Sequence, residues 1–218
     1  MKKGVFLTVF VMTFMLCLAN TVNVNAWVDL GPFTYWYSDN NGIGDMSNST
    51  IYVYTFSSGA GFGSQISTLV NAAKTAWSSE GTYVTGSSTN CNIFVTDMTR
   101  LAATLNGVPF DADAYTEITD MTLIGHATVT GLSGRKSVYA VERASISLIY
   151  DSITGSYSTN KLKALTTHEF GHALGYFGHD INSTNVNKSI MNPYIDNIWD
   201  LWSVNAPTSR DLNHMGNI

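Results

Sequence analysis

The chain has 218 residues, with 16 acidic and 11 basic side chains and a net charge of −5. This length accommodates one domain with a hydrophobic core of its own. The acidic balance argues against a nucleic-acid partner, because phosphate binding requires clustered lysine and arginine side chains.

Residues 1–26 have the pattern of a secretory signal peptide. Lys2 and Lys3 precede the apolar run GVFLTVFVMTFMLCLA, and the small residue Ala26 ends the segment. We predict cleavage after Ala26, which changes the net charge from −5 to −7 by removing the two lysines. The mature protein is then expected to be extracellular, without stable insertion in a membrane. The alternative is an uncleaved membrane anchor, which the short apolar run disfavours.

The mature sequence after residue 26 predicts one folded unit. It contains no repeat, charged block or linker, so we expect a single domain over residues 27–218. Cys91 is its only cysteine, which leaves no partner for an intramolecular disulfide. We interpret Cys91 as a small buried residue on a strand, with a reactive thiol as the alternative.

The first half of the mature chain is predicted to contain a strand, a helix and a second strand. The aromatic and Gly/Asn-rich segment 27–50 is expected to form an N-terminal arm. The β-branched and aromatic run IYVYTF (51–56) predicts a strand, and CNIFVTD (91–97) predicts another. Between them, apolar residues recur at helical spacing from Ile66 to Trp77, with Ser64 as the expected cap.

The second half begins with a predicted connection over 98–120. Three strands are then expected at MTLIGHATVT (121–130), KSVYAVE (136–142) and ASISLIYDS (144–152). A long helix follows over NKLKALTTHEFGHALG (160–175), capped by Thr159 or Asn160. A turn at MNPY and a last helix from about Thr208 complete the chain. This order of strands and helices predicts an α/β fold.

The stretch HEFGHALGYFGHD, residues 168–180, carries three of the five histidines. His168 and His172 are four residues apart and therefore project from one face of the helix, as two nitrogen ligands of Zn²⁺ require. Glu169 is placed to act as a general base on a water molecule. Gly175 can adopt a positive φ and end the helix, which lets His179 return as a third ligand.

The competing interpretation of this stretch is an amphipathic helix with solvated histidines. It accounts for neither the single glycine nor the third histidine. Three protein ligands leave a fourth position for water, which is typical of a catalytic zinc site rather than a structural one.

The pattern H-E-x-x-H-x-x-G-x-x-H resembles the signature of the metzincin zinc peptidases. Met191, twelve residues after His179, stands where these enzymes place a methionine in a tight turn below the metal. Within metzincins the chain is most similar to small bacterial matrixin-type peptidases. The resemblance implies a twisted mixed sheet of about five strands with an active-site helix and a backing helix. It also implies an N-terminal subdomain over 27–175 and an irregular C-terminal subdomain over 176–218 that carries the Met-turn and the terminal helix.

The resemblance further implies roles for single residues. Pro193 and Tyr194 would form a wall of the substrate pocket, and the segment 136–142 would be the edge strand that holds an extended substrate. Asp180 stands where matrixins usually have serine. It either hydrogen-bonds the turn or orients a ligand, or is a solvated turn residue. Asp211 either ties the last helix to the Met-turn, as in matrixins, or is an ordinary residue of the first helical turn.

The activity implied is that of a secreted zinc endopeptidase, acting as a monomer on protein or peptide substrates. An inactive binding or adhesion module on the same scaffold is the alternative, which the intact Glu169 disfavours. DADAYTEITD (111–120) and SDNNGIGD (38–45) offer oxygen ligands for Ca²⁺, but neither matches the spaced calcium loop, so ordinary loops are the competing interpretation. His126 is interpreted as a core or edge-strand histidine, with a second metal site as the alternative.

Overall fold

The structure, a computed structural model, describes residues 42–46, 50–57, 61–128, 135–181 and 183–215. The side chains of 42–45, 124–138 and 213–215 are outside this description. The predicted signal peptide and most of the predicted N-terminal arm also lie outside the described residues. Among the helices within these ranges, none combines the length and apolarity needed to cross a membrane.

Strands and helices alternate along the described chain. The strands are β1 (Gly42–Met46), β2 (Thr50–Phe56), β3 (Thr82–Thr85), β4 (Ile93–Met98), β5 (Ala114–Thr128) and β6 (Arg135–Ile149). The helices are α1 (Gln65–Ala76), α2 (Arg100–Leu105), α3 (Tyr150–Ile153), α4 (Thr159–Ala173), a π-helix (Asp196–Leu201) and α5 (Ser209–Met215).

The strands form one mixed sheet, which confirms the α/β prediction with six strands rather than about five. Its order across the centre is β3-β2-β4-β6-β5. All pairings are parallel except that of β5 with β6. Along one side, β6 pairs first with β1 and then with β4. Strand β5 therefore forms an edge of the sheet as far as the structure describes it.

The hydrophobic core lies between the sheet and helices α1 and α4. Side chains on β4 alternate between buried and half-buried, as expected for a strand with one face on the core. The buried residues of β2 and β4 are Ile51, Val53, Ile93 and Val95, and those of α1 are Ile66, Leu69, Val70 and Ala73. All of them belong to one cluster, so this packing holds α1 against the centre of the sheet.

Helix α4 is almost entirely enclosed, which explains its lack of a clear polar face. Ser158 caps it by accepting a hydrogen bond from the backbone N of Lys161 at 3.2 Å. Near its middle, the helix is contacted by the Trp77 indole, which donates to the carbonyl oxygen of Thr167 at 2.8 Å. A methyl group on Gly171 would overlap the Met191 sulfur and the Trp77 ring. Helix α4, Trp77 and the segment of Met191 can therefore pack closely together only because Gly171 has no side chain.

Several sequence-based boundaries were wrong. Strand β1 falls within the predicted arm, and β5 begins at Ala114 within the predicted connection. The two strands predicted on either side of Arg143 are one strand, β6, because β4, β5 and β1 supply partners along its whole length. Residues 150–153 are helical, and α4 is capped by Ser158 rather than by Thr159 or Asn160.

Substitution Gly171→Ala is expected to destabilise the protein by about 1–3 kcal/mol, because the added carbon overpacks the contact with Met191 and Trp77. Chemical denaturation measures this change. Asn160→Ala, at an exposed position of the same helix, serves as the control and should stay within about 0.5 kcal/mol of wild type. Equal stability of the two variants would show that the packing at Gly171 tolerates a methyl group.

Candidate metal centre

The end of α4 turns the chain back toward the helix. Gly175 has φ 110°. The N–H of Gly175 donates to the carbonyl oxygen of His172 at 3.0 Å. The N–H of Tyr176 donates to the carbonyl oxygen of Gly171, also at 3.0 Å. These two bonds define a Schellman motif, in which glycine takes the positive φ at low cost. The predicted turn at Gly175 is therefore present, and it redirects the chain toward His179.

The three histidines of the motif come together at this turn. The Nε2 atoms of His168 and His172 are 3.0 Å apart, and those of His172 and His179 are 3.3 Å apart. The candidate ligand atoms of all three lie within 4.8 Å of one another. Tetrahedral Zn²⁺, with bonds of about 2.0–2.1 Å, holds two nitrogen ligands about 3.3 Å apart. The donor set and its spacing therefore fit this ion.

Backbone carbonyl groups fix the orientation of two imidazoles. The Nδ1 of His168 is 2.8 Å from the carbonyl oxygen of Ile190, and the Nδ1 of His172 is 2.7 Å from that of Tyr176. A carbonyl oxygen can only accept, so each Nδ1 carries the proton and donates it. Burial disfavours the charged imidazoles and lowers the pKa of His168 to about 3 and that of His172 to about 4.

These protonation states leave lone pairs on the converging Nε2 atoms. A neutral histidine with its proton on Nδ1 presents an acceptor at Nε2. Two such acceptors 3.0 Å apart have no proton to share, and their mutual repulsion is relieved by a cation between them. The arrangement therefore fits a metal site whose ligand tautomers are set before the ion binds.

Glu169 lies beside this cluster and is also buried, with 5% of its surface exposed. The hydroxyl of Thr116, on β5, donates to its Oε2 at 2.6 Å and lies 3.1 Å from its backbone oxygen. Burial raises the pKa of Glu169 to about 7, although the Thr116 hydrogen bond opposes this rise. A carboxyl group with this pKa can both accept and donate a proton near neutral pH.

Met191 is fully buried. It directly follows Ile190, whose carbonyl oxygen accepts the hydrogen bond from His168 Nδ1. The preceding turn is fixed from α5: the Asp211 carboxylate accepts hydrogen bonds from the Ser189 hydroxyl at 2.5 Å and from the Ile190 N–H at 3.1 Å. Asp211 thus ties the last helix to the segment of Met191 and is more than a residue of the first helical turn. The role of Met191 as a Met-turn residue stays a prediction.

Asp180 is fully buried, so its interpretation as a solvated turn residue was wrong. Both carboxylate oxygens pair with the guanidinium of Arg210, one of them at 2.9 Å from Nη2. Its backbone N–H donates to the carbonyl oxygen of Met191 at 2.7 Å. Asp180 therefore fixes the chain directly after His179.

A cleft of about 400 Å³ opens over the three histidines and Glu169. Residues 114–118 of β5 line the cleft, as do Pro193 and Tyr194. The predicted edge strand was wrong: residues 137–141 of β6 pair with β1 on one side and β5 on the other. The strand at the cleft is β5, whose residues 114–120 lie within the predicted connection.

Three other expectations concern Cys91, His126 and the segments proposed to bind Ca²⁺. Cys91 is half-buried and precedes β4 rather than lying on it. His126 lies on β5 opposite Ser137. Of the segments proposed to bind Ca²⁺, residues 114–120 are strand, and Asp113 accepts a hydrogen bond from the Tyr157 hydroxyl at 2.5 Å. The calcium site stays a prediction.

The sequence did not point to three groups that contact the site. These are Thr116, the carbonyl group of Ile190 and the carbonyl group of Tyr176. Only the last is close in sequence to its partner, four residues from His172. A carbonyl group leaves no trace in residue type, and Thr116 is 53 positions from Glu169, so no local pattern connects them.

In the metal-free protein at about pH 6, His168 and His172 are expected to be neutral and protonated on Nδ1, because burial lowers both pKa values well below 6.5. Nitrogen-15 NMR of the imidazole rings distinguishes the two tautomers and the charged form. A positively charged ring at either position at this pH would contradict the preset ligand geometry.

No family model and no curated protein matches the chain. Among solved structures, the chain is similar to high choriolytic enzyme 1, a hatching enzyme zinc-protease from the medaka fish Oryzias latipes. The similarity covers 88% of this chain and 96% of that one, with 14% sequence identity and a TM-score of 0.37. Because identity and TM-score are both low, the chemistry of the site is inferred from its own residues.

Proposed function

We propose that this chain is a secreted zinc-dependent endopeptidase. One observation carries the proposal: three imidazoles, two of them with fixed tautomers, direct Nε2 toward one point beside a buried carboxylate. A purely structural zinc site has no need of such a carboxylate and is usually closed by a fourth protein ligand. The described residues supply three ligands and leave the cleft side open to a water molecule and a substrate.

The chain's own groups account for the proton transfers of amide hydrolysis. Zn²⁺ held by His168, His172 and His179 would lower the pKa of a coordinated water molecule and polarise the substrate carbonyl. Glu169 would accept the proton of the attacking water and deliver it to the leaving amine. Thr116 would keep one oxygen of that carboxylate in place. The cleft would exclude bulk water around the carboxylate.

The substrate is proposed to be an extended peptide that adds to the free edge of β5. Residues 114–118 of this strand border the cleft, and main-chain hydrogen bonds to such an edge bind extended peptides largely independently of sequence. Pro193 and Tyr194 also line the cleft, and Tyr194 is 62% exposed and accessible to a substrate side chain. Leu165 and Ile198 contribute apolar surface to the same cleft.

Within the metzincins, we propose a matrixin-type enzyme that acts as a monomer outside the cell. The short segment from Met191 to Tyr194 and the bond from Asp211 to the Ile190 N–H support this subtype. Where matrixins usually have serine, this chain has Asp180, which pairs with Arg210. This pair distinguishes the chain from the usual matrixin pattern. The signal-like pattern of residues 1–26 supports secretion.

Substitution Glu169→Gln is expected to abolish hydrolysis and to preserve zinc binding, because the amide keeps the size of the side chain but cannot accept the proton. The loss in kcat should be at least about 10²–10⁴-fold. Cleavage of casein and of a quenched-fluorescence peptide library measures activity, and metal analysis measures zinc. Wild-type cleavage should also disappear with a chelator.

Two outcomes would overturn this proposal. One is wild-type protein with stoichiometric zinc that cleaves nothing across a broad library, which would favour a binding module. The other is a Glu169→Gln variant that retains wild-type activity.

Substitution Thr116→Val is expected to lower kcat by roughly 10- to 100-fold with little change in KM, because the carboxylate of Glu169 loses the group that orients it. Thr116→Ser retains the hydroxyl and serves as the matched control with near wild-type kcat. Steady-state kinetics on one quenched peptide give both parameters. Equal kcat for the valine and serine variants would show that the hydrogen bond is dispensable.

A further inference from the structure

Two consecutive residues of the last helix, Arg210 and Asp211, contact residues that are linked to metal ligands. Arg210 pairs through Nε and Nη2 with both carboxylate oxygens of Asp180, the residue after His179. Asp211 accepts from the N–H of Ile190, whose carbonyl oxygen accepts from His168 Nδ1. Helix α5 is therefore connected to His179 through Asp180 and to His168 through Ile190.

The contacts that connect Arg210 to His179 through Asp180 have fixed geometry. The guanidinium is planar and offers a fixed pair of donors, which matches the two oxygens of a carboxylate. Asp180 is fully buried, so its charge has no access to bulk water. Its backbone is also fixed, because its N–H donates to Met191 and its carbonyl oxygen accepts from the Ser183 hydroxyl at 2.7 Å. A shift of Asp180 would move the peptide bond to His179.

We propose that Arg210 is a positioning residue of the metal centre and that docking of α5 and zinc binding are thermodynamically coupled. Arg210 fixes His179 through Asp180, while Asp211 fixes His168 through Ile190. Since coupling between two equilibria is reciprocal, bound zinc stabilises the docked α5 by the same factor by which α5 strengthens zinc binding. The inference rests on the proposed function only in taking zinc as the ion.

Four variants separate positioning from general stability. Arg210→Met removes the guanidinium that pairs with the buried Asp180 carboxylate and lowers stability as well as zinc affinity. The double variant Asp180→Asn/Arg210→Met removes both charges, so its stability without zinc should approach that of wild type. Arg210→Lys keeps the charge but not the paired donors. Lys161→Met is the control, since Lys161 joins α4 to Asp196 and Asp200 away from the histidines.

Zinc affinity is measured by competition with a chromophoric chelator, and ligand geometry by the visible spectrum of the Co²⁺-substituted protein. The double variant should bind zinc roughly 10- to 100-fold more weakly than wild type, as for other groups that orient metal ligands, and show an altered Co²⁺ spectrum. The Arg210→Lys variant should bind zinc more tightly than Arg210→Met but more weakly than wild type. Lys161→Met should be less stable but keep wild-type zinc affinity and spectrum.

A double variant with wild-type zinc affinity would overturn the inference, even if the wild-type protein is an active peptidase. Conversely, a wild-type protein that binds zinc but cleaves no peptide would overturn the proposed function and leave the inference standing. If the double variant does not fold, hydrogen exchange on the wild-type protein replaces it. Zinc should then increase protection of the Ile190 amide and of the amides of α5, and unchanged protection would overturn the coupling.

Discussion

Two hydrogen bonds to backbone carbonyl groups determine the chemistry of this protein. They hold the proton of His168 and of His172 on Nδ1, which leaves Nε2 of each ring as an acceptor directed at the other. Without them, the rings could share a proton or rotate apart, and the third histidine would add nothing. With them, the cluster presents nitrogen lone pairs that a cation could bind. The turn after α4 and the segment before Met191 both serve to place these carbonyl groups.

The packing of α4 follows from the same requirement. A helix that presents ligands to a cleft on one side must be supported on the others, and α4 is accordingly buried between the sheet, α1 and the Met191 segment. Gly171 allows the Met191 sulfur and the Trp77 ring to approach the helix closely. The glycine between the two histidines of the motif thus contributes to packing, whereas Gly175 contributes to chain direction.

The sequence was sufficient for the parts of the site that lie in one segment. The spacing of His168, His172 and His179 around Gly175 is local, so helix geometry and glycine conformation predicted their convergence. The sheet was predicted less well, since β1 and β3 are short strands whose formation depends on partners far along the chain. Strand β5 was missed at its start because its polar residues, including Thr116 and Glu117, resemble those of a loop. Arg210 was missed because its partner, Asp180, is 30 positions away in the sequence, so no local pattern connects them.

The pairing of β5 with β6 is irregular, and this limits the length of an extended ligand that could lie along β5 at the cleft. The register shifts between Ile118 and Asp120, again between Asp120 and Met121, and again between Leu123 and Gly125. A bulge bends a strand and increases its twist, so a straight neighbour follows β5 only from Ala114 to Ile118. Five residues of strand span about 17 Å. The usable edge is therefore short, which limits the footprint of an extended ligand and also discourages two copies of the protein from joining edge to edge.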